Sequence, residues 1–191
     1  GRGRRGAALS FASGIAAGLH AMHQIGVGHL DIKPSNVILR DVDPLGGTSG
    51  TPVLVDFGLA GRHLRPGCAT ASYGAPEVWG LMPKGHDPSP TAVDVYAFGA
   101  LAFEVLTGRE LVYGTSEIAI VTAHLAHDGD FDGLLWLAQD RSLSDIAEVI
   151  SGAMRQDPRS RPLMSDLRAQ LAEIAPTLEA HRWPLGIDQA A

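Results

Sequence analysis

One segment of this 191-residue chain, residues 92–107, restricts the possible folds more than any other. Only Asp94 and Glu104 place charges in it. Its larger apolar residues fall on every side of a helix and are Val93, Val95, Phe98, Leu101, Phe103, Val105 and Leu106. A helix that is apolar all round is buried in the interior of a protein. We therefore predict a helix over residues 92–107 at the centre of a globular domain.

The rest of the chain also favours helices. Ile15, Leu19 and Met22 have helical spacing within residues 9–24, where small residues fill the intervening positions. The sequence predicts further helices at 115–127, at 143–156 before Asp157-Pro158, and at 163–175 before Pro176.

Strand and loop signals are fewer. Short β-branched apolar runs at Val37–Leu39 and Val53–Val55 indicate two strands joined by a surface loop. Residues 59–90 are rich in Gly and Pro and are predicted to be a long irregular segment. We divide the chain into a basic end at 1–8, one mainly helical α+β domain at 9–178 and a tail at 179–191.

The composition excludes several classes of protein. There are 15 Lys+Arg residues against 21 Asp+Glu residues, a formal net charge of −6, so charge gives no reason to expect nucleic-acid binding. The single cysteine, Cys68, cannot form an intramolecular disulfide and is typical of a reducing compartment, so we expect a cytoplasmic protein. The most apolar stretch, Val95–Phe103, is shorter than the ~20 residues that span a bilayer, so no membrane segment is expected.

Three short motifs lie in a fixed order along the chain. Residues 29–36 read His-Leu-Asp-Ile-Lys-Pro-Ser-Asn, residues 56–58 read Asp-Phe-Gly directly after an apolar run, and residues 75–77 read Ala-Pro-Glu. Each motif alone is weak evidence, since Asp-Phe-Gly is also a plausible turn. In this order they resemble the catalytic loop, the metal-binding motif and the end of the activation segment of eukaryotic-like protein serine/threonine kinases.

This resemblance implies a protein kinase-like fold, of which the chain matches the mainly α-helical C-terminal lobe. It assigns the catalytic loop to residues 29–36, the activation segment to 56–77, the central helix to 92–107 and the C-terminal helices to 115–175. A composition rich in Gly, Ala and Arg and poor in Lys suggests a bacterial source.

The resemblance also implies transfer of the γ-phosphoryl group of ATP to a Ser or Thr hydroxyl of a protein substrate. Asp31 would orient that hydroxyl and accept its proton, and Lys33 would offset charge on the phosphate. Thr70, the third predicted catalytic residue, would hydrogen-bond near both. Asn36 and Asp56 would hold Mg²⁺, with Mn²⁺ as the alternative ion, because hard cations prefer oxygen ligands. Lys33, Asn36 and Asp56 together make the predicted ATP site.

Other matching residues are implied to support the site structurally. They are His29, Phe57, Gly58, Glu77, Asp94 and Arg161. Asp94 would be buried and hydrogen-bonded to the backbone of the catalytic loop, since a buried carboxylate needs partners. Glu77 would form a bidentate pair with Arg161, whose planar guanidinium suits that geometry.

The kinase pattern is incomplete before residue 29. Gly1 to Gly6 match Gly-x-Gly-x-x-Gly, but the glycine-rich loop of the family lies between strands that the sequence does not show here. No Lys precedes Lys33 and no Asp or Glu precedes Asp31, so the ion pair that anchors the nucleotide is missing. We therefore expect the N-terminal β-rich lobe to be absent from these residues. The chain alone would then be inactive and would need a nucleotide-binding lobe in cis or in trans.

Two other functions stay open at this point. One is a pseudokinase-like protein-binding module, and the other is a small-molecule phosphotransferase of related fold. The intact Asp31, Lys33, Asn36 and Asp56 favour a kinase over a pure binding module. The Ala-Pro-Glu motif at 75–77 and its implied partners favour a protein substrate.

Two histidine pairs have the i, i+3 spacing of zinc ligands. They are His20 with His23, and His124 with His127. No cysteine pair or third ligand is near them in sequence, so we interpret all four as surface or core histidines.

Overall fold

The helix Pro90–Thr107 lies at the centre of the computed structural model, which describes residues 7–42, 50–80, 89–179 and 181. Within those residues the helices are α1 (Ala7–His23), α2 (Pro90–Thr107), α3 (Glu117–Ala126), α4 (Asp132–Leu137), α5 (Ser144–Ala153) and α6 (Met164–Leu178). The strands are β1 (Val37–Arg40) and β2 (Thr51–Leu54). Short 3₁₀ helices occur at Pro34–Asn36, Pro76–Trp79 and Pro158–Ser160. The predicted fold, mainly helical with two short strands, is confirmed.

Helix α2 begins and ends at clear local signals. The Ser89 hydroxyl accepts a hydrogen bond from the Ala92 amide at the N-terminus, and Pro90 occupies the first turn. Gly108 adopts the left-handed conformation, with φ of 74°, just after the last turn. Most side chains of α2 are buried, and both α1 and α5 pack against it. The apolar pattern of 92–107 is thus explained by packing on more than one side.

The other helices lie near their predicted positions, with two differences. The prediction that Pro176 ends the last helix is wrong, because α6 continues to Leu178. Pro176 lies in the last turn, so its missing N–H and the steric clash of its ring affect only the end of the helix. The buried side chains of Ile174 and Leu178 hold that turn against the core. Helix α4 was not predicted, since its six residues are too few to show a period.

The two strands form one antiparallel hairpin, in which Val37 pairs with Leu54 and Leu39 pairs with Pro52. Proline cannot donate to a sheet, and it is tolerated in this strand because the sheet has only two strands. β2 packs against α1, where a side chain at Gly14 would overlap Pro52. Along the chain, the hairpin begins directly after the catalytic loop and ends just before residues 56–58.

Parts of several predictions lie outside the described residues. These parts are residues 1–6 of the basic end, 43–49 of the loop between the strands, 81–88 of the irregular segment, and 180 with 182–191 of the tail. Residues 7 and 8, predicted as part of the basic end, belong to α1. Among the described helices, none combines the length and the hydropathy needed to cross a membrane.

Candidate active site

The catalytic loop is fixed by the carboxylate of Asp94, which is fully buried in α2. Asp94 Oδ2 accepts hydrogen bonds from the His29 amide at 2.7 Å and from His23 Nε2 at 2.9 Å, and Oδ1 accepts one from the Leu30 amide at 2.7 Å. Leu30 has a φ of 67°, in the left-handed region that side chains disfavour. Because strained residues persist only where the surroundings hold them, Asp94 is the group that keeps this backbone turned next to Asp31.

Three predicted site residues, Lys33, Asn36 and Thr70, meet around Asp31. Its Oδ2 lies 2.9 Å from Lys33 Nζ and accepts a hydrogen bond of 2.9 Å from Asn36 Nδ2. Its Oδ1 accepts a hydrogen bond of 3.0 Å from Thr70 Oγ1, and Lys33 Nζ donates to the same Thr70 oxygen at 3.0 Å. Asn36 Nδ2 also reaches the Asp31 carbonyl, at 2.8 Å. The two bonds expected for Thr70 are therefore present, and they link the activation segment to the catalytic loop.

This network controls the ionisation of Asp31. Partial burial by itself would raise the pKa of the carboxyl group, but the hydrogen bonds from Lys33, Thr70 and Asn36 outweigh it. The net effect holds the pKa of Asp31 below its usual value. Asp31 is therefore an ionised hydrogen-bond acceptor at neutral pH, and its orientation is fixed from both oxygens.

Residues 56–58 are joined to the catalytic loop by hydrogen bonds of the preceding Val55 and by the ring of Phe57. The Val55 amide donates to the Asn36 carbonyl at 2.9 Å, and His29 Nε2 donates to the Val55 carbonyl at 3.0 Å. The Phe57 ring packs at a tilt on the buried His29 ring, with centroids 5.2 Å apart. Asp56 itself is exposed, with a φ of 61°, and its Oδ1 accepts a hydrogen bond from the Gly58 amide at 3.3 Å. Asp56 is thus exposed to solvent, one residue after the Val55 amide that bonds to the Asn36 carbonyl.

The donor set suits a hard cation held together with phosphates. Both hydrogen bonds of the Asn36 amide group described above use its nitrogen, so its oxygen is the atom suited to a metal. Asp56 adds a charged oxygen ligand. Mg²⁺ characteristically uses one or two protein carboxylates, with water and phosphate completing its shell. In the described part of the chain, no group of three or more His, Cys, Asp or Glu side chains is placed to hold a metal on its own.

The end of the activation segment is anchored by a buried ion pair. Arg161 Nη1 donates to Glu77 Oε1 at 2.6 Å, and Nη2 donates to Glu77 Oε2 at 2.9 Å. The remaining guanidinium donors reach the carbonyls of Ala92, Arg155 and Gln156. The guanidinium also lies over the Tyr96 ring, 4.8 Å from its centroid. The pair predicted from sequence is present, and it joins the segment to α2 and to the region before α6.

Two histidines contribute to this site in ways that the sequence reasoning missed. His23 donates to Asp94, and His124 contacts both α2 and the activation segment. From their i, i+3 spacing we interpret both as surface or core histidines, an interpretation that does not identify their partners. A chemical signal could have found His23, since a buried carboxylate such as Asp94 needs more donors than two amides supply.

Comparison with known proteins agrees with the motifs. Residues 4–171 match the family model for the protein kinase domain. The chain is 32% identical to serine/threonine-protein kinase PkaA of Streptomyces coelicolor over 186 residues, which cover 92% of this chain and 31% of that protein. It is 33% identical to PkaB of the same organism, covering 96% of this chain and 43% of that protein. Serine/threonine-protein kinase PknK of Mycobacterium bovis is 32% identical over 87% of this chain and 14% of its own length. The chain thus spans less than half the length of each of these relatives.

Proposed function

The chain belongs to the protein kinase domain family, and we propose that it forms the phosphoryl-transfer part of a protein serine/threonine kinase active site. The observation that supports this most directly is the closed network of Asp31, Lys33, Asn36 and Thr70. A carboxylate held this way can orient a substrate hydroxyl, which is the main requirement of phosphoryl transfer apart from charge neutralisation.

Asp31 has one oxygen better suited to the substrate. In the contacts described above, Oδ2 accepts from both Lys33 and Asn36, whereas Oδ1 accepts from Thr70 alone. Since each carboxylate oxygen can accept about two hydrogen bonds, Oδ1 has an acceptor position for a Ser or Thr hydroxyl. As the hydroxyl oxygen bonds to the γ-phosphorus, its proton passes to Asp31. The bond from that phosphorus to the β–γ bridging oxygen breaks, and ADP leaves.

Lys33 and the two oxygen donors would deal with the charge. Bound Mg²⁺-ATP supplies the γ-phosphoryl group. Asn36 and Asp56 would hold the metal ion, with Mn²⁺ as the alternative. The Lys33 side chain is 25% exposed, and its Nζ lies between Asp31 and Thr70, from where it would neutralise negative charge on the transferred group. In kinases that this chain resembles, a lysine at this position accompanies Ser/Thr specificity.

We further propose that these residues act with a nucleotide-binding lobe, supplied in cis or in trans. The 191 residues contain only two lysines, Lys33 and Lys84, so the nucleotide-anchoring lysine of the family must come from elsewhere. Two apolar side chains near the site are exposed in this chain, Phe57 at 54% and Leu39 at 47%. A second lobe packed against the site would cover such side chains. The reaction would take place in the cytoplasm, where ATP is available.

A peptide phosphorylation assay tests this function. The chain is assayed in the longest polypeptide that its gene encodes, and as residues 1–191 alone, with Mg²⁺-ATP and Ser/Thr peptides. Asp31→Asn should lower the rate by about 10²–10⁴-fold, the usual contribution of a general base. The exposed Asp132→Asn on α4 is the matched control and should leave the rate unchanged. Residues 1–191 alone should turn over little.

The same assay separates the other candidate functions. Phosphorylation of small alcohols in place of peptides would indicate a small-molecule phosphotransferase. Absence of transfer in every form, with the fold intact, would indicate a pseudokinase-like binding module. Transfer that survives Asp31→Asn would contradict the role proposed for Asp31.

A further inference from the structure

His124 is a buried polar side chain that the proposed mechanism does not use. It lies on α3, and it is the one buried residue among the ten of that helix. The helix packs against the 3₁₀ helix Pro76–Trp79 at the end of the activation segment. A peripheral helix is ordinarily anchored by an apolar side chain, so a fully buried imidazole at this position needs an explanation.

Both ring nitrogens of His124 are hydrogen-bonded to groups on different segments. Nε2 lies 2.9 Å from the Ala71 carbonyl oxygen, and Nδ1 lies 2.8 Å from the Tyr96 hydroxyl on α2. The ring also packs at a tilt on Tyr96, with centroids 5.5 Å apart, and edge-on against Phe131. His124 therefore connects the central helix to the activation segment through its own side chain.

The chemistry of the two partners determines where the proton of the ring lies. Burial lowers the pKa of His124 to about 4, so the imidazole is neutral and has a single N–H. A carbonyl oxygen can only accept, so that N–H must be on Nε2 and must donate to Ala71. Nδ1 is then an acceptor, and the Tyr96 hydroxyl donates to it. Burial raises the pKa of Tyr96, which keeps its hydroxyl protonated as a donor.

The residue that His124 holds is next to Thr70. The Thr70 hydroxyl donates to Asp31 Oδ1, and the Thr70 carbonyl accepts from the amides of Tyr73 and Gly74, which closes a turn. The Ala71 carbonyl lies inside that turn. A shift of Ala71 would therefore move Thr70 relative to Asp31, and through Thr70 it would also move Lys33.

We infer that His124 is a positioning residue, which fixes the Thr70–Gly74 turn against Asp31 through its hydrogen bond to the Ala71 carbonyl. The Tyr96 hydroxyl fixes the ring in the tautomer that makes this bond. The consequence for phosphoryl transfer rests on the proposed function, whereas the contact itself does not. The hydrogen bond sets the distance and the angle between the His124 ring and the Ala71 carbonyl. An apolar side chain of the same volume would set neither.

Four substitutions separate this role from simple packing. His124→Phe keeps the ring and loses both hydrogen bonds. His124→Gln places an amide donor near the position of Nε2, whereas the shorter His124→Asn places its amide near Nδ1 and cannot reach Ala71. Tyr96→Phe removes the hydroxyl and keeps the ring. His127→Gln, at a half-buried position just after α3, is the matched control.

The first measurement is amide hydrogen exchange of the chain, which needs no kinase activity. In His124→Phe and His124→Asn we expect exchange at the Tyr73 and Gly74 amides to rise about fivefold to tenfold, as for the loss of one hydrogen bond. The amides of α2 and α5 should keep their protection, and His124→Gln should restore the wild-type rates. ¹⁵N spectra of the imidazole should show the Nε2–H tautomer in the wild type. In Tyr96→Phe the population of that tautomer should be lower.

The second measurement is peptide phosphorylation, made in whichever polypeptide is active in the assay described above. His124→Phe should lower kcat on the order of tenfold to a hundredfold with little change in the KM for ATP, because displacement of about 1 Å has effects of that size. His124→Gln should recover most of that loss, and His127→Gln should match the wild type.

Three results would overturn the inference. They are unchanged exchange at Tyr73 and Gly74 in His124→Phe, a rise of exchange spread equally over α2 and α5, and failure of His124→Gln to differ from His124→Asn. Where His124→Phe does not fold, the comparison of the Gln and Asn variants decides the question. An inactive wild type with the expected exchange pattern would contradict the proposed function and would still support the positioning of the turn by His124.

Discussion

At the scale of single residues, the site depends on buried charges that are fully paired. Asp94 receives three hydrogen bonds, from His23 and from the amides of His29 and Leu30. Arg161 uses donors on all three guanidinium nitrogens, and its side chain is fully buried with that of Glu77. Such groups define one geometry of the chain, because each alternative leaves a charge in the interior without a partner.

The Arg161–Glu77 pair gives a prediction about stability. Arg161→Ala should lower the free energy of unfolding by about 3–5 kcal/mol, because the Glu77 carboxylate would remain buried without its partner. Arg161→Lys should also be destabilising, since an ammonium group cannot donate to Glu77 in bidentate fashion and also reach three carbonyls. Urea unfolding, followed by circular dichroism, measures both changes.

The control for this prediction is the neighbouring Arg159. It pairs with Asp157 at 2.7 Å, but its side chain is 66% exposed. Arg159→Ala should change the free energy of unfolding very little compared with Arg161→Ala, as for other exposed pairs. Equal losses in the two variants would show that burial of the Arg161 pair does not determine its contribution.

Sequence reasoning predicted side chains that meet in the structure, but not all of their partners. Asp31, Lys33, Asn36 and Thr70 were predicted because their types and order are characteristic, and the four side chains are joined by hydrogen bonds. His124 was missed because its partner Ala71 is 53 residues away and contributes only a backbone carbonyl, which has no signature in a sequence. Contacts of this kind depend on tertiary packing and become visible only in the structure.

At the scale of elements, the sequence predicted a helix correctly where its apolar pattern was long and continuous. The segment 92–107 is apolar all round and forms the buried helix α2. α4 was missed because six residues do not complete two turns. α6 continues past Pro176 because burial of Leu178 stabilises the last turn more than the lost hydrogen bond destabilises it. Local signals thus located the long elements, and packing determined where one of them ended.

The contact between α2 and α5 gives a prediction at this scale. Gly99 lies on α2 where a Cβ atom would come within 2.6 Å of Met154 Cγ and 3.2 Å of Ala153 Cβ. Gly99→Ala should therefore lower the free energy of unfolding by about 1–3 kcal/mol, as for other overpacked cores. Thermal or urea unfolding measures the change.

Gly152 on α5 is the matched control. A Cβ atom built there meets nothing within 4 Å. Gly152→Ala should raise the free energy of unfolding by up to about 1 kcal/mol, because alanine favours the helix over glycine without a clash. Stabilisation by both substitutions would show that Met154 moves aside at no cost and that the two helices do not need a glycine where they meet.

At the scale of the whole molecule, exposed apolar side chains are unevenly placed. Four of them lie in β1, just after it, or just after β2. Ile38 is 45% exposed, Leu39 47%, Val42 52% and Phe57 54%. The core around α2 is closed by comparison, since most side chains of that helix are buried. These four side chains lie within six residues of Asn36 or Asp56 along the chain, close to the residues that a nucleotide-binding lobe is proposed to cover.

This distribution predicts that residues 1–191 alone bind a hydrophobic dye. Fluorescence of the dye should fall in the double variant Ile38→Thr, Leu39→Thr, because threonine keeps the preference for a strand and removes apolar surface. Near-ultraviolet circular dichroism should be unchanged, which separates a folded apolar surface from a loosely packed state that also binds such dyes. Ile118→Thr, on α3 and 80% exposed, is the control and should retain most of the fluorescence. If the two variants lowered the fluorescence equally, the surface at the hairpin would be no different from any exposed isoleucine, and the case for a lobe that covers it would then rest on the missing lysine alone.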